Sequence, residues 1–252
     1  MALAIDRYLE KKILSHAEAV SVVSPGCLDL LLDHHKNIDK NKFQIIYNGF
    51  DPDVYASKMP FPPDNKFIIT YIGNLPLNRY TPNLYEAISQ LKRENKITPD
   101  RFQLHYYGNI DDSTRNELIK FQIDEFLHFH DFIPHQEAIL NICKSHLLLL
   151  IINNTHTQKA IVTGKLFEYL WSRRPILCIG PMNGDAAKIL QETRSGTVFD
   201  YQDLDGMKNF LYKQYQSWLK SEWQSISNKS IEKYNRAEQL KKLLFVFDSL
   251  IT

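Results

Sequence analysis

Cysteine is scarce in this chain, with only Cys27, Cys143 and Cys178, an odd number set far apart. Neither a disulfide framework nor a Cys-based zinc site can be assembled from them, and a reducing compartment is expected, the cytoplasm first. An excess of one charge is lacking as well, since 30 Lys+Arg face 29 Asp+Glu. Without the basic surplus that a phosphate backbone demands, no nucleic acid partner is expected. Long apolar runs are also missing. The strongest spans 147–152, and Met1 to Ile5 lead straight into Asp6, Arg7, Glu10, Lys11 and Lys12, so neither a signal peptide nor a membrane span is expected.

Glycine is sparse too, and its placement excludes the most. The nine glycines stand at 26, 49, 73, 108, 164, 180, 184, 196 and 206, from which no G-x-G-x-x-G fingerprint and no Walker phosphate loop can be written. The usual nicotinamide dehydrogenases and P-loop NTPases are thereby set aside. The G-x-S-x-G elbow of serine hydrolases is absent. His34-His35 and His128-x-His130 lack nearby Cys or H-E-x-x-H spacing, so no metal is expected.

What the chain does have is a core-forming composition, 44% hydrophobic and 23% charged over 252 residues, enough for one large domain or one domain with attached pieces. From about residue 40, short apolar runs alternate with amphipathic stretches, the pattern of repeated βαβ units. Strands are expected at 43–47, 67–73, 102–107, 126–129, 147–152, 176–179 and 197–199. Several are apolar throughout, as suits parallel strands buried on both faces. Helices are expected at 82–94, 112–122, 136–143, 165–171, 185–191 and 203–220. Thr81-Pro82, Asp111-Asp112 and Asp203 supply helix-entry chemistry. The fold class is therefore α/β, a Rossmann-like open parallel sheet with helices on both faces.

The two ends differ from this middle. Residues 1–40 read as a separate helix-strand-helix piece, with helices at 4–14 and 25–35 around a strand at 19–23. Residues 41–220 form the main domain, and 221–252 read as helix only. In that tail Ile231, Tyr234, Leu240, Leu243, Leu244, Phe247 and Leu250 make an amphipathic stripe that must bury, against its own domain first or else against a partner domain.

Candidate site residues lie just past strand ends, where open α/β sheets bind ligands. In Tyr47-Asn48-Gly49-Phe50-Asp51, the Asn48-Gly49 pair readily takes positive φ and lets backbone approach a ligand, although a plain turn has the same signature. Gly73 and Asn74 lead to Arg79, whose planar fork suits phosphate oxygens, though solvated loop arginines are common. The most informative segment is Thr163-Gly164-Lys165-Leu166-Phe167-Glu168-Tyr169-Leu170. Thr163 is a good N-cap, and Gly164 leaves the first-turn N–H groups open to an anion. Lys165 opposes the helix dipole at a local cost of ~0.3–1 kcal/mol, which makes sense if an anion sits between them. Glu168, one turn deeper, can accept hydrogen bonds from vicinal hydroxyls. Phosphate at the tip and a diol beside it describe a nucleoside diphosphate; the competing interpretation is an exposed Lys165–Glu168 surface pair.

The order of these motifs resembles the C-terminal half of GT-B glycosyltransferases, closest to family 4 and its relatives. Over about 17–250, Ala17 to Ser24 looks like the last strand of that family's N-terminal domain, and Ile45 to Asp51 like its "NG-x-D" interdomain loop. Tyr71-Ile72-Gly73-Asn74-Leu75 is similar to "Y-x-G-R-L". Gly164 to Leu170 with Arg174-Pro175-Ile176-Leu177 is similar to "K-L-x-E-Y-L-A-x-G-x-P-V". The resemblance implies a nucleotide-diphospho-sugar donor, with Gly164 and Lys165 N–H groups on the diphosphate and Glu168 on the ribose. It assigns Arg79 to a phosphate and the chain around Ile133 to the base. It further implies transfer, by a hexosyltransferase type of enzyme, to a glycan or lipid-linked acceptor as in surface polysaccharide synthesis. Configuration would be retained, and neither cofactor nor essential metal is used.

Two departures stand out. The family's first Glu, separated from the second by seven residues, falls at Ala160, and Asn74 stands where Arg is common. A nucleotide-sugar epimerase of the same fold and a non-catalytic nucleotide-binding protein remain alternatives. On this resemblance the acceptor-binding N-terminal domain is almost absent, so the chain is expected to bind nucleotide but not to transfer sugar alone. The faces of residues 4–35 and 231–250, shaped for that domain, are expected to favour homo-oligomers. A peripheral place at the inner membrane face is the alternative to a freely cytoplasmic one.

Overall fold

The computed structural model describes residues 2–52 and 60–251. Its centre is a six-stranded, wholly parallel sheet. The strands are β3 (Phe67–Ile72), β4 (Phe102–Tyr107), β5 (Leu127–His130), β6 (Leu147–Ile151), β7 (Ile176–Ile179) and β8 (Gly196–Phe199), in the order β5-β4-β3-β6-β7-β8. Each lies within a residue or two of its expected position. The signal was clear because β6 and β7 are apolar throughout, β3 is apolar but for Thr70, and both faces are covered. Phe67, Ile69, Tyr71, Leu147 and Leu149 pack toward α3 (Pro82–Arg93), α4 (Asp112–Ile119) and α8 (Leu204–Leu219). Leu148, Leu150, Ile176 and Cys178 pack toward α5 (His135–Cys143), α6 (Gly164–Ser172) and α7 (Asp185–Thr193).

The chain runs outward from β3 to β5, then restarts at β6 on the other side of β3 and runs to β8. That reversal makes a topological switch point between β3 and β6, and the loops leaving their carboxyl ends diverge there to open a crevice.

At the N-terminal end, β1 (Val20–Val22) and β2 (Phe43–Ile45) pair in parallel, so the boundary expected at 40/41 falls between two strands that bond to each other. With α1 (Ala2–His16) and α2 (Pro25–His34) they enclose a small cluster of Leu14, Val22, Leu28 and Phe43. The start of α2 is moored to the main body. Ser24 Oγ donates to the Ala160 carbonyl at 2.8 Å, and the Gly26 N–H donates to Asp185 Oδ2 at 2.6 Å.

The tail departs from expectation. Residues 221–228 are not helical; a 3-10 segment, Lys229–Tyr234, follows, and only then α9 (Arg236–Ile251). The backbone groups that helix would need are committed elsewhere. The Ile226 N–H donates to Arg173 O, the Asn228 side chain accepts from the Ser230 N–H, and Tyr234 O and the Arg236 N–H both bond to Phe50. The stripe also divides: Ile231 and Tyr234 are buried in the main core, whereas Leu240, Leu244, Phe247 and Leu250 stand about half exposed along α9. Docking on its own domain thus holds for the 3-10 segment and the first turn of α9, where buried Gln239 accepts from the Tyr47 N–H at 3.0 Å.

Candidate functional site

α6 begins beside the switch point and aims its N-terminus into the crevice. Thr163 occupies the N-cap position with extended backbone, as expected, but its hydroxyl makes no capping hydrogen bond and is buried without a partner among the described residues. The N–H groups of Gly164 and Lys165 have no intrahelical partner by helix geometry, so this end offers donors and the positive end of a dipole.

Lys165 is turned back over the sheet. Its Nζ lies 4.4 Å from the centre of the Tyr71 ring, and burial, then the Arg79 guanidinium, pull its pKa down to about 8, with Glu168 acting in the opposite sense. A cation placed in these surroundings is costly, and a bound anion would offset the cost. Gly73 makes room for it. The backbone there has φ +117, and a Cβ would stand 3.0 Å from Lys165 Nζ. No other residue type fits both conditions without strain.

Arg79 spans the switch point. Its Nε donates to Asn153 Oδ1 on the loop after β6, and its Nη1 donates at 3.2 Å to the carbonyl of Asn74, the residue after Gly73 beyond β3. The Asn74 side chain accepts from the Asn109 N–H, so it ties two loops together and does not replace the arginine common at that position.

Beside the same helix start, Asn48, Gly49, Phe50, Asp51, His135, Gly164, Glu168 and Arg236 line a cleft of about 510 Å³. Gly49 has φ +65, and a Cβ on it would meet the Tyr234 carbonyl at 2.7 Å, which explains the glycine in this turn. The loop is held by the returning tail, because the Phe50 N–H donates to Tyr234 O and the Arg236 N–H to Phe50 O. Beneath it, Tyr47, Phe167 and Tyr234 pack ring against ring at 5.1–6.1 Å. Glu168 accepts a 2.7 Å hydrogen bond from His135 Nε2 at the first residue of α5.

The structure thus gathers the expected residues into two neighbouring groups around one helix start. Gly73, Asn74, Arg79 and Lys165 lie at the end of β3, while Asn48, Gly49, Gly164 and Glu168 share the cleft. Ile133 sits half-buried in the loop before α5, outside the cleft lining. The Ala160 carbonyl is engaged by α2. His135, Arg236 and Asn153 join the site without a local sequence signal, because nothing local marks a residue whose partner lies on another element. Among the described residues no group of three or more His, Cys, Asp or Glu converges as a metal site, and no helix is long and apolar enough to cross a membrane.

No protein-family model and no curated protein matches the sequence. Solved structures do match. HepE of Anabaena in complex with UDP superposes with a TM-score of 0.75 at 12% identity, over 97% of this chain and 68% of that one. A TarM variant of S. aureus, solved with fondaparinux, α-GlcNAc-glycerol and UDP, gives 0.72 at 13% identity over 96% and 46%. Sucrose-phosphate synthase of Thermosynechococcus elongatus gives 0.71 at 16% identity over 98% and 62%. The chain therefore has the α/β fold of the GT-B glycosyltransferase structures, and spans between 46 and 68% of the length of these three.

Proposed function

We propose that this chain is the donor-binding part of a glycosyltransferase that uses a nucleotide-diphospho-sugar. The observation that carries the proposal is the α6 N-terminus at the switch point, which offers two orphan N–H groups, a half-buried lysine whose pKa is lowered to about 8, and a carboxylate one turn further on. The diphosphate would lie on the Gly164 and Lys165 N–H groups, with Lys165 and Arg79 neutralising its charge. The ribose hydroxyls would meet Glu168, and the loop holding Ile133 would edge the base.

Chemistry follows from that placement. As the bond between sugar and diphosphate breaks, negative charge grows on the leaving oxygen. Donors already aimed at that position stabilise the transition state more than the ground state, with no metal needed for this role. Transfer by a hexosyltransferase type of enzyme with retention, to a glycan or lipid-linked acceptor, is the reaction we assign. With Ala160 at the position of the family's first Glu, the donor sugar must be held by groups other than that carboxylate.

The acceptor-binding domain belongs, in this proposal, against the apolar faces of α1 and α9. Ile5, Tyr8, Leu9 and Ile13 are exposed on the first of these, and Leu240, Leu244 and Phe247 on the second. The two-stranded β1–β2 sheet between them is smaller than a stable sheet ordinarily is. The 252-residue chain alone is then expected to bind donor without transferring its sugar.

Calorimetric titration of the chain with UDP, ADP and GDP tests the site. Binding of at least one, weakened by both Lys165→Ala and Glu168→Ala, is the expected result. Failure of all three to bind, or binding indifferent to both substitutions, would sink the proposal. NMR of UDP-glucose incubated with the chain distinguishes transfer chemistry from epimerisation, which would show as a new hexose anomeric signal.

A further inference from the structure

We infer that His135 is a positioning residue for the nucleotide's ribose, acting through Glu168. The inference rests on the donor assignment above, since it requires a ribose beside α6. His135 opens α5, Glu168 lies in the second turn of α6, and both line the cleft of about 510 Å³. Their side chains meet at 2.7 Å, His135 Nε2 to Glu168 Oε1. An ionised carboxylate can only accept, so the hydrogen is on Nε2.

Packing does not account for this contact. The His135 side chain is 59% exposed and that of Glu168 26%, so the pair sits at the cleft rim. A solvent-facing pair of this kind adds little to stability. Its effect on geometry is larger. Ile139 and Ile142 of α5 and Leu166 and Leu170 of α6 belong to one buried cluster, so the two helices hold both residues at fixed positions. The imidazole then selects one orientation of a carboxylate that would otherwise sample several.

One Nε2–H bond uses one of roughly four lone-pair sites on the carboxylate, which leaves capacity for both hydroxyls of a cis-diol. A carboxylate ordered before the ligand arrives loses less freedom on binding, and the saving appears only for ligands that use it. His135 should therefore set the preference for a ribose over a sugar lacking those hydroxyls, and leave the affinity of the diphosphate itself unchanged.

The test compares UDP with 2′,3′-dideoxy-UDP by calorimetry, or the ADP or GDP pair if that base binds instead, on the unmodified chain and three variants. The unmodified chain should favour the ribose form by about tenfold or more, the scale of a lost hydrogen bond to a charged group. Glu168→Ala should abolish the preference. His135→Ala should reduce it at least about threefold with dideoxy affinity unaltered, and His135→Gln, whose amide N–H reaches from a similar place, should recover most of it. Thermal unfolding of each variant verifies folding.

A preference intact in His135→Ala overturns the inference while leaving the donor assignment standing. Tighter UDP binding in that variant also overturns it, since His135 would then compete for the carboxylate and not hold it. Absence of binding by every nucleoside diphosphate overturns the donor assignment, and the inference with it.

Discussion

At the scale of single residues, the site keeps a lysine where it is costly. Lys165 has a folded pKa of about 8, below the ~10.4 of an unfolded chain, with burial the largest cause. The unfolded state therefore holds more protons between pH 8 and 10.4, and stability rises with pH across that window. Below it the charged, desolvated amine is a liability. Lys165→Met should accordingly stabilise the ligand-free chain at pH 7 by about 1–2 kcal/mol while weakening diphosphate binding at least about tenfold. Urea unfolding and UDP titration of the same variant check the two signs together, and loss of both stability and binding would point to a merely structural lysine. Because an anion favours the charged form, diphosphate affinity should also fall as pH rises through 8. Two histidines act in the opposite pH range. Burial holds both His105 and His146 down to about 3, against ~6.5 unfolded. Their stabilisation is complete above pH 6.5 and is lost as pH falls, by up to about 2 kcal/mol each at pH 5. His146 Nδ1 accepts from the Ile68 N–H at 3.0 Å. His146→Asn, which keeps an acceptor there without a titrating ring, should reduce the acid dependence seen in urea midpoints between pH 7.5 and 5, with His105, His128 and His130 supplying the remainder.

At the scale of elements, the main sheet was legible because short apolar runs such as Leu147–Ile151 suit parallel strands buried on both faces. The helices of the main domain followed from their periodicity and entry residues. Legibility failed where the deciding partner is remote in sequence. Nothing near Thr163 shows that its hydroxyl is left without a bond, and nothing near His135 shows that it reaches Glu168. The tail differs from its expected single helix for the same reason. Tyr234 and Arg236 break the helix to pair with Phe50, almost two hundred positions earlier. That pairing makes the 3-10 segment a clamp on the Asn48-Gly49 loop, with Tyr234 only 1% exposed between Tyr47 and Phe167. Tyr234→Ala should cost about 3–5 kcal/mol, as large-to-small changes of buried aromatic residues do. It should also loosen the cleft wall, read as faster amide exchange at 47–51. A cost below 1 kcal/mol would show that the clamp contributes little.

At the scale of the molecule, a well-covered sheet carries two helices whose apolar faces meet solvent. Contiguous exposure of this kind marks interfaces. Leu244→Asp and Phe247→Ser on α9 should lower any concentration-dependent association in sedimentation velocity and leave the melting temperature nearly unchanged; unaltered association would place the contact elsewhere. Supplying an acceptor-binding domain should likewise be needed for transfer, whereas donor binding should not depend on it. All of this turns on one claim, that the α6 N-terminus beside the switch point is the diphosphate site. A crystal structure of the chain with UDP, or with whichever nucleoside diphosphate binds, tests it most directly. The prediction is diphosphate oxygens within about 2.7–3.2 Å of the Gly164 and Lys165 N–H groups, with Lys165 Nζ turned toward them and the ribose hydroxyls on Glu168. A nucleotide bound away from α6, or a diphosphate held by none of these groups, would contradict the account.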